Sequence, residues 1–410
     1  MKFAYTPRTL SAVLRRAMTT FPAVVVTGPR QSGKTTLLRM ETASSHRFVS
    51  LEEPDVRMLA REDPRAFLDA NPPPVVLDEI QYAPQLLSYI KGRIDAERRP
   101  GNWLLTGSQQ FSLMQGVTES LAGRAAVLEL LPLSLAELSG HGEQGMTPEM
   151  FFSPETSHEP AADCPNTSDW LLRGGYPELA LHQEVDRELW CASYITTYLE
   201  RDVRSLVNVG DLSTFERFIR LCAARTGTIL NQSEMARDLG ISVPTVRRWL
   251  SALETGRQVL LLPPYFANIG KRLMKSPKLY FLDTALASSL MGIHSGEVLL
   301  NGPSLGPLFE TAVVSDFYKR FLHHGKRPSL YYLRTRDGLK ADLVADLGGR
   351  LHLLEVKSAK TIFPGHWQGI NRWRSQLAAK AGQAVLLSRS ESLIKPQDGV
   401  WRLPWQALAV

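Results

Sequence analysis

Cysteine is scarce: Cys164, Cys191 and Cys222 are the three present, and no two form a C-x-x-C pair. That excludes a disulfide framework and a cysteine zinc site, and it fits a reducing cytosol. Long apolar runs are missing too. The first, Phe21 to Val26, is too short for a signal peptide, and none approaches the ~18 residues of a membrane span. The expectation is a cytoplasmic protein with no membrane partner. Neither sign of charge dominates, since 47 Lys and Arg against 41 Asp and Glu leave +6. An excess this mild permits nucleic-acid binding without requiring it, because charge must cluster before it steers a polyanion. No G-x-S-x-G elbow, H-E-x-x-H pair or G-x-G-x-x-G loop in context occurs, and His323-His324 lacks a same-face metal spacing.

What remains is 410 residues, 44% of them hydrophobic, enough for two to four domains of roughly 100–200 residues. Up to residue 135 short apolar strands alternate with helices. Strands are expected at Ala23–Val26, Phe48–Leu51, Pro74–Asp78, Trp103–Thr106 and Ala126–Leu130, with helices near Gln85–Ile94 and Phe111–Leu121. That alternation predicts a parallel α/β sheet. Residues 140–169 are rich in Gly, Pro, Ser, Thr, Asp and Glu and read as a mobile surface insertion. Helical spacing returns from 170 to 226, including Leu189–Val207, and a compact helix-rich unit with a basic tail follows to 295. From Pro307 the α/β pattern resumes, with a helix at Leu308–Leu322 and strands around Leu330–Leu333, Ala341–Asp346 and Leu351–Val356. A last helix is expected near Gly369–Ala379.

Gly28-Pro29-Arg30-Gln31-Ser32-Gly33-Lys34-Thr35 fits G-x-x-x-x-G-K-[ST] between a strand and a helix. Glycines let the backbone wrap a polyphosphate, the amides and helix N-terminus offer positive dipole, and Lys34 neutralises charge. Thr35 offers a hydroxyl to Mg²⁺, and Thr36 completes the loop. Val75-Val76-Leu77-Asp78-Glu79 follows, an apolar strand ending in two acids. Asp78 suits the Mg²⁺ water shell, and Glu79 suits a general base that orients the attacking water. Thr106 or Ser108, at the end of the next strand, is placed to touch the γ-phosphate or that water. Arg124 reads either as an arginine finger offered to a neighbouring subunit or as a surface arginine.

Asn231 to Leu250 reads as helix, turn, helix. Met235, Ala236 and Leu239 face a core, Gly240 opens the turn and Ser242 caps the second helix. Val246, Trp249, Leu250 and Leu253 give that helix a buried face, leaving Thr245, Arg247 and Arg248 for a DNA groove. Lys271, Arg272, Lys275 and Lys278 follow on a candidate wing, suited to phosphates. Such shapes also serve protein interaction. In the C-terminal part, Glu310 on a helix, Asp342 on a strand and Glu355-Val356-Lys357 on the next resemble the PD-(D/E)xK nuclease core, with Ala341 where that motif has Pro. The carboxylates would hold a second Mg²⁺ and Lys357 would assist. The other reading is a nuclease-like fold used for DNA binding or assembly.

Several segments together resemble an AAA+ ATPase. They are Thr27–Thr36, Val75–Gln81, Leu104–Ser108, Ser120–Arg124, Arg173-Gly174-Gly175-Tyr176-Pro177 and Thr197–Asp202. More narrowly, they are similar to a bacterial family that pairs an AAA domain with a C-terminal domain of unknown function 4143. The resemblance implies four regions. An AAA+ P-loop core spans 1–137, and a helical lid spans 138–210, the flexible insertion at 140–169 lying outside the resemblance. A winged helix-turn-helix covers 211–295, and a restriction-endonuclease-like α/β domain covers 296–410. It implies ATP and Mg²⁺ as cofactors, with DNA, duplex or forked, and further copies of the chain, a hexamer among the options, as partners. Three functions are then open: an oligomeric ATPase whose nucleotide state controls DNA engagement, an ATP-gated nuclease in defence or repair, and an ATP-switched transcriptional regulator. No second sensor arginine is evident and that role is unassigned; Arg173 and Arg201 read instead as structural.

Overall fold

The computed structural model describes residues 5–410 except 108–119, 157, 160, 162, 200–211, 266–274, 336 and 392–398. Strands β1 (Ala23–Thr27), β2 (Arg47–Ser50), β3 (Val75–Asp78), β4 (Trp103–Gly107) and β5 (Ala125–Glu129) form one sheet in the order β2-β3-β4-β1-β5. Every pairing in it is parallel. The two-residue period sends alternate side chains to opposite faces. Val25, Leu77 and Leu105 meet Phe67, Leu86 and Ile90 on one face. Val24, Val26, Val76 and Leu104 meet Leu10, Leu14, Leu37 and Leu38 on the other. A sheet covered on both faces explains why its central strands are apolar at nearly every position. The helix anticipated at Phe111–Leu121 lies mostly outside the described residues.

The middle of the chain runs helix Leu212–Ala224, β6 (Thr228–Ile229), helix Gln232–Leu239, helix Val243–Thr255, β7 (Val259–Leu262) and β8 (Lys278–Phe281). Its small antiparallel sheet has the order β6-β8-β7. Asn231 caps the first helix of the turn and Gly240, at φ 68°, ends it. Ser242 caps the second by accepting the Thr245 amide at 3.2 Å. Trp249 packs edge-on against Phe215 and Phe218, closing the core beneath both helices.

Strands β9 (Leu330–Arg334), β10 (Lys340–Leu347), β11 (Arg350–Lys357), β12 (Ala381–Ser388) and β13 (Val400–Pro404) form a second five-stranded sheet in the order β13-β12-β11-β10-β9. β9 to β11 are antiparallel neighbours; β11, β12 and β13 pair in parallel. Helix Gln368–Leu377 covers one face through Ile370 and Trp373. Helix Leu305–His323 lies against the other. It is buried on every side, so even Asp316, Lys319, Arg320 and His323 are out of water. One continuous apolar core runs from Leu131 through Trp170, Phe215, Trp249 and Phe317 to Trp405. The helical region, the helix-turn-helix unit and one face of the C-terminal sheet therefore share a single interior.

The insertion expected to be mobile is anchored. Met146, Phe151, Phe152 and His158 are buried, and Phe151 meets the Phe317 ring edge-on at 4.9 Å. Four anchoring side chains outweigh the loop-forming composition around them. The helix expected over Leu189–Val207 runs over Arg187–Tyr194 and widens into a π-turn at Ile195–Leu199; from residue 200 the stretch lies outside the described residues.

Candidate nucleotide site and a buried lysine–carboxylate cluster

The loop between β1 and helix Lys34–Thr42 is built by backbone geometry. Gly28 has φ 146°, and a Cβ there would stand 2.1 Å from the Leu130 carbonyl oxygen. Gln31 and Gly33 also take positive φ, at 58° and 96°. Lys34 is buried, and its Nζ donates to the Gly28 and Pro29 carbonyls at 3.1 and 2.8 Å. The Ser32 hydroxyl is buried inside the loop with no hydrogen-bond partner. An orphaned donor beside a buried ammonium and a helix N-terminus fits an anionic ligand such as a phosphate group. The Arg30 carbonyl accepts the Tyr194 hydroxyl at 3.5 Å, tying the loop to the helical region.

At the neighbouring strand ends the acids converge on the same loop. Thr35 Oγ1 donates to Asp78, 3.0 Å from Oδ1 and 3.2 Å from Oδ2. Thr106 Oγ1 donates to Asp78 Oδ1 at 2.5 Å and accepts the Glu79 amide at 2.9 Å. Burial raises the Asp78 carboxyl above its ordinary range, while the Thr106 and Thr35 hydroxyls pull it back. Glu79 stands in a left-handed conformation, φ 58° and ψ 49°, and its carboxylate accepts from the Gln81 side-chain Nε2. Non-glycine residues rarely hold such a backbone without surrounding constraint. The oxygen donors Thr35 and Asp78 suit a hard cation such as Mg²⁺. Ser108 lies outside the described residues, so Thr106 is the strand-end hydroxyl seen at the site.

A cavity of about 310 Å³ opens beside the loop, lined by Tyr5, Thr6, Gly33, Thr36, Pro177 and Leu181 among others. Arg124 is not part of this site. It precedes β5, at the end of the sheet opposite the loop, and its guanidinium holds Asp95 through two bonds of 2.6 and 2.9 Å. Arg173 is structural, donating to the carbonyls of Leu179, His182 and Val185.

The C-terminal constellation also converges, with lysines among the acids. Asp342 is fully buried; its Oδ1 accepts Lys340 Nζ at 2.8 Å and its Oδ2 accepts the Val356 amide at 3.1 Å. Glu355 accepts Lys357 Nζ at 2.5 Å. Glu310 accepts Lys278 Nζ at 2.8 Å and the Tyr280 hydroxyl at 2.5 Å, and Lys278 also stands 3.7 Å from Asp342. Burial would raise the Asp342 carboxyl, but Lys278 and Lys340 hold it at about 2. Burial and neighbouring Asp342 push Glu355 up to about 7. Each of the three acids thus has a lysine ammonium as its hydrogen-bond partner. The donor set does not fit the expected second Mg²⁺. Among the described residues no group of three or more His, Cys, Asp or Glu side chains is arranged to hold a metal.

Lys278, expected on a wing facing phosphates, is instead buried on β8 as a member of this cluster. Its two-residue offset from Tyr280, which shares Glu310, was the signal that it faces inward. Lys340 was not anticipated, although it stands two residues before Asp342. Arg247 and Arg248 are exposed and Thr245 half-buried on the outer side of helix Val243–Thr255, and Lys275 is exposed. Lys271 and Arg272 lie outside the described residues. Among those described, no helix is long and apolar enough to cross a membrane.

An AAA domain model matches residues 20–139, a domain of unknown function, DUF8612, matches 165–297, and the domain of unknown function DUF4143 matches 305–408. Two curated relatives are Uncharacterized protein Rv2008c of Mycobacterium tuberculosis and Uncharacterized protein Mb2031c of Mycobacterium bovis. Each is 32% identical over 354 residues, which span 86% of this chain and 74% of the relative. Among solved structures, a Walker-type ATPase of Pyrococcus abyssi is similar at 16% identity and TM-score 0.45, covering 71% of this chain and 99% of its own. With its parallel sheet, phosphate loop and paired acids in register, the chain belongs to the family of P-loop ATPases that join an AAA domain to a C-terminal DUF4143 domain.

Proposed function

We propose that this protein binds and hydrolyses ATP as an oligomer and engages DNA, with nucleotide state controlling that engagement. The observation that carries the reading is the joined pair Thr35–Asp78, held by Thr106, with Glu79 beside it at the mouth of the loop. In this scheme the loop amides, Ser32 and Lys34 bind the phosphates, and the cavity beside Thr36 takes the nucleoside. Thr35 and Asp78 would hold Mg²⁺, which would neutralise charge on the phosphates. Glu79 orients and deprotonates the attacking water. Arg124 stands too far from its own subunit's loop to reach a γ-phosphate, so any part it plays is toward a neighbouring copy. The element order and sheet order of the middle unit support a winged-helix reading, in which Thr245, Arg247, Arg248 and Lys275 face DNA; Lys271 and Arg272, expected to join them, lie outside the described residues.

The alternative, an ATP-gated nuclease, draws on the convergence of Glu310, Asp342, Glu355 and Lys357. The ammonium partners of those acids favour a scaffold or DNA-gripping role instead. The deciding experiment measures phosphate release and DNA binding together. Lys34→Ala should lose nucleotide binding, and Glu79→Gln should bind ATP yet turn over ~10²–10⁴-fold more slowly. Arg247→Ala with Arg248→Ala should weaken DNA binding and flatten its salt dependence. Equal turnover in wild type and Glu79→Gln removes Glu79 from the mechanism. Mg²⁺-dependent strand cleavage that disappears in Glu355→Ala promotes the nuclease reading.

A further inference from the structure

The phosphate loop is held from behind by a buried chain of charged groups that the AAA domain does not complete by itself. Arg8 is 3% exposed; its Nη1 donates to the Ser32 carbonyl at 2.8 Å and its Nη2 to the Leu131 carbonyl at 2.7 Å. The same guanidinium lies 3.1 Å from Glu137 Oε1, and Glu137 is fully buried. Glu137 in turn accepts the amides of Thr9 and Ser134 at 2.9 and 2.8 Å. His323, also fully buried, stands with Nδ1 3.3 Å from Glu137 Oε1. Its Nε2 accepts the Leu131 amide at 3.1 Å. Because Nε2 accepts, the ring proton sits on Nδ1, which lies 3.3 Å from Glu137 Oε1 without the alignment of a hydrogen bond. His323 is the last residue of the long C-terminal helix Leu305–His323.

A buried carboxylate with three donors, the Arg8 guanidinium and two backbone amides, and the His323 ring beside it is satisfied in one arrangement of its partners. Removing His323 takes the ring N–H away from beside Glu137 and leaves the Leu131 amide without its acceptor. Both losses fall on the segment that fixes Arg8 and therefore the Ser32 carbonyl.

We propose that Arg8, Glu137 and His323 are positioning residues for the nucleotide site, so that the C-terminal domain, through His323, sets the shape of the phosphate loop and hence nucleotide affinity. The inference rests on the ATP-binding reading above. It makes the nucleotide site a product of both ends of the chain. By linkage, nucleotide binding must then tighten the C-terminal turn of helix Leu305–His323 by the same factor.

The test uses the full-length chain, a fluorescent ATP analogue for affinity and phosphate release for turnover. His323→Leu should weaken nucleotide affinity ~10-fold or more, the scale of a buried amide left without its acceptor, while kcat at saturating ATP stays within ~2-fold. His323→Gln, whose amide can both donate to Glu137 and accept from Leu131, should restore affinity to within ~3-fold of wild type. Hydrogen exchange at Leu131 and at Arg320–His324 should slow on nucleotide binding in wild type and not in His323→Leu. If His323→Leu does not fold, Arg8→Lys gives the same answer, since one ammonium cannot span Ser32, Leu131 and Glu137. Unchanged affinity in a folded His323→Leu or in Arg8→Lys overturns the proposal. A wild-type chain that binds no nucleotide overturns the ATPase reading instead, and the two failures are separable in one titration.

Discussion

Thr106 reaches across from β4 to Asp78 on β3, its Oγ1 2.5 Å from Oδ1, and with the same oxygen accepts the Glu79 amide at 2.9 Å. One hydroxyl therefore fixes both acids of the candidate site. Thr106→Val, nearly equal in shape, should leave Asp78 short of a donor and free the strained Glu79 backbone. The expected result is at least a ~10-fold fall in ATP turnover with a loss of about 1–3 kcal/mol in stability. Thr106→Ser should keep most of both. Phosphate release and urea midpoints check this; full activity in the valine variant contradicts it.

Arg124 and Asp95 form a bidentate pair on the surface at the far end of the sheet. If that face meets a neighbouring copy, Arg124→Ala should bind nucleotide normally and lose hydrolysis. Mixing it with Glu79→Gln should restore part of the activity, since each subunit then lends its intact half to a shared site. A monomer that is fully active at every concentration rules this out.

Lys275 and Lys278, three residues apart, should give opposite phenotypes. Lys275→Ala, exposed, should lower DNA affinity and reduce the log–log salt slope by roughly 0.9. Lys278→Met takes the ammonium from half-buried Glu310 and from beside buried Asp342 and should cost about 3–5 kcal/mol in stability, with DNA affinity little changed in the folded fraction. Melting and salt-titrated DNA binding, run side by side, separate the two.

Glu137 supplies a pH dependence with a definite sign. Burial alone would raise its carboxyl, but the Arg8 guanidinium and then His323 hold it well below the ordinary glutamate range. The unfolded state therefore takes up this proton at a higher pH than the folded one. Its contribution is in full force above the unfolded value, near 4.5, and fades as pH falls below it. Glu137→Gln should be less stable than wild type by roughly 3–5 kcal/mol near neutrality. The gap should narrow as urea unfolding is repeated at lower pH. A gap that stays constant from pH 7 down to pH 3 refutes the assignment.

The parallel sheet and the phosphate loop were legible because local patterns encode them. Apolar strands such as Ala23–Val26 and a loop of fixed spacing need no partner far away in sequence. The helix-turn-helix was legible for the same reason, through the caps Asn231 and Ser242 and the buried face of Val246, Trp249 and Leu250. The acids Glu310, Asp342 and Glu355 were also located, yet the chemistry around them was not. Lys278 comes from another unit, and its role depends on which way β8 faces across the interface. Arg8, Glu137 and His323 were invisible for a related reason: each is an ordinary residue locally, and only the fold brings the three together. The buried aromatics Phe151 and Phe152 were hidden by the polar composition around them.

The stack of Trp170 on Trp405, with ring centroids 4.6 Å apart and planes 9° from parallel, joins residues separated by more than half the chain. On a ribosome adding roughly 5–20 residues per second, Trp405 is made tens of seconds after Trp170. Through that interval the helical segment has an uncovered apolar side, while the N-terminal sheet already has both of its faces supplied by its own helices. The newborn chain is thus expected to finish its nucleotide sheet early and to wait, in need of chaperone protection, for the strands that close the rest.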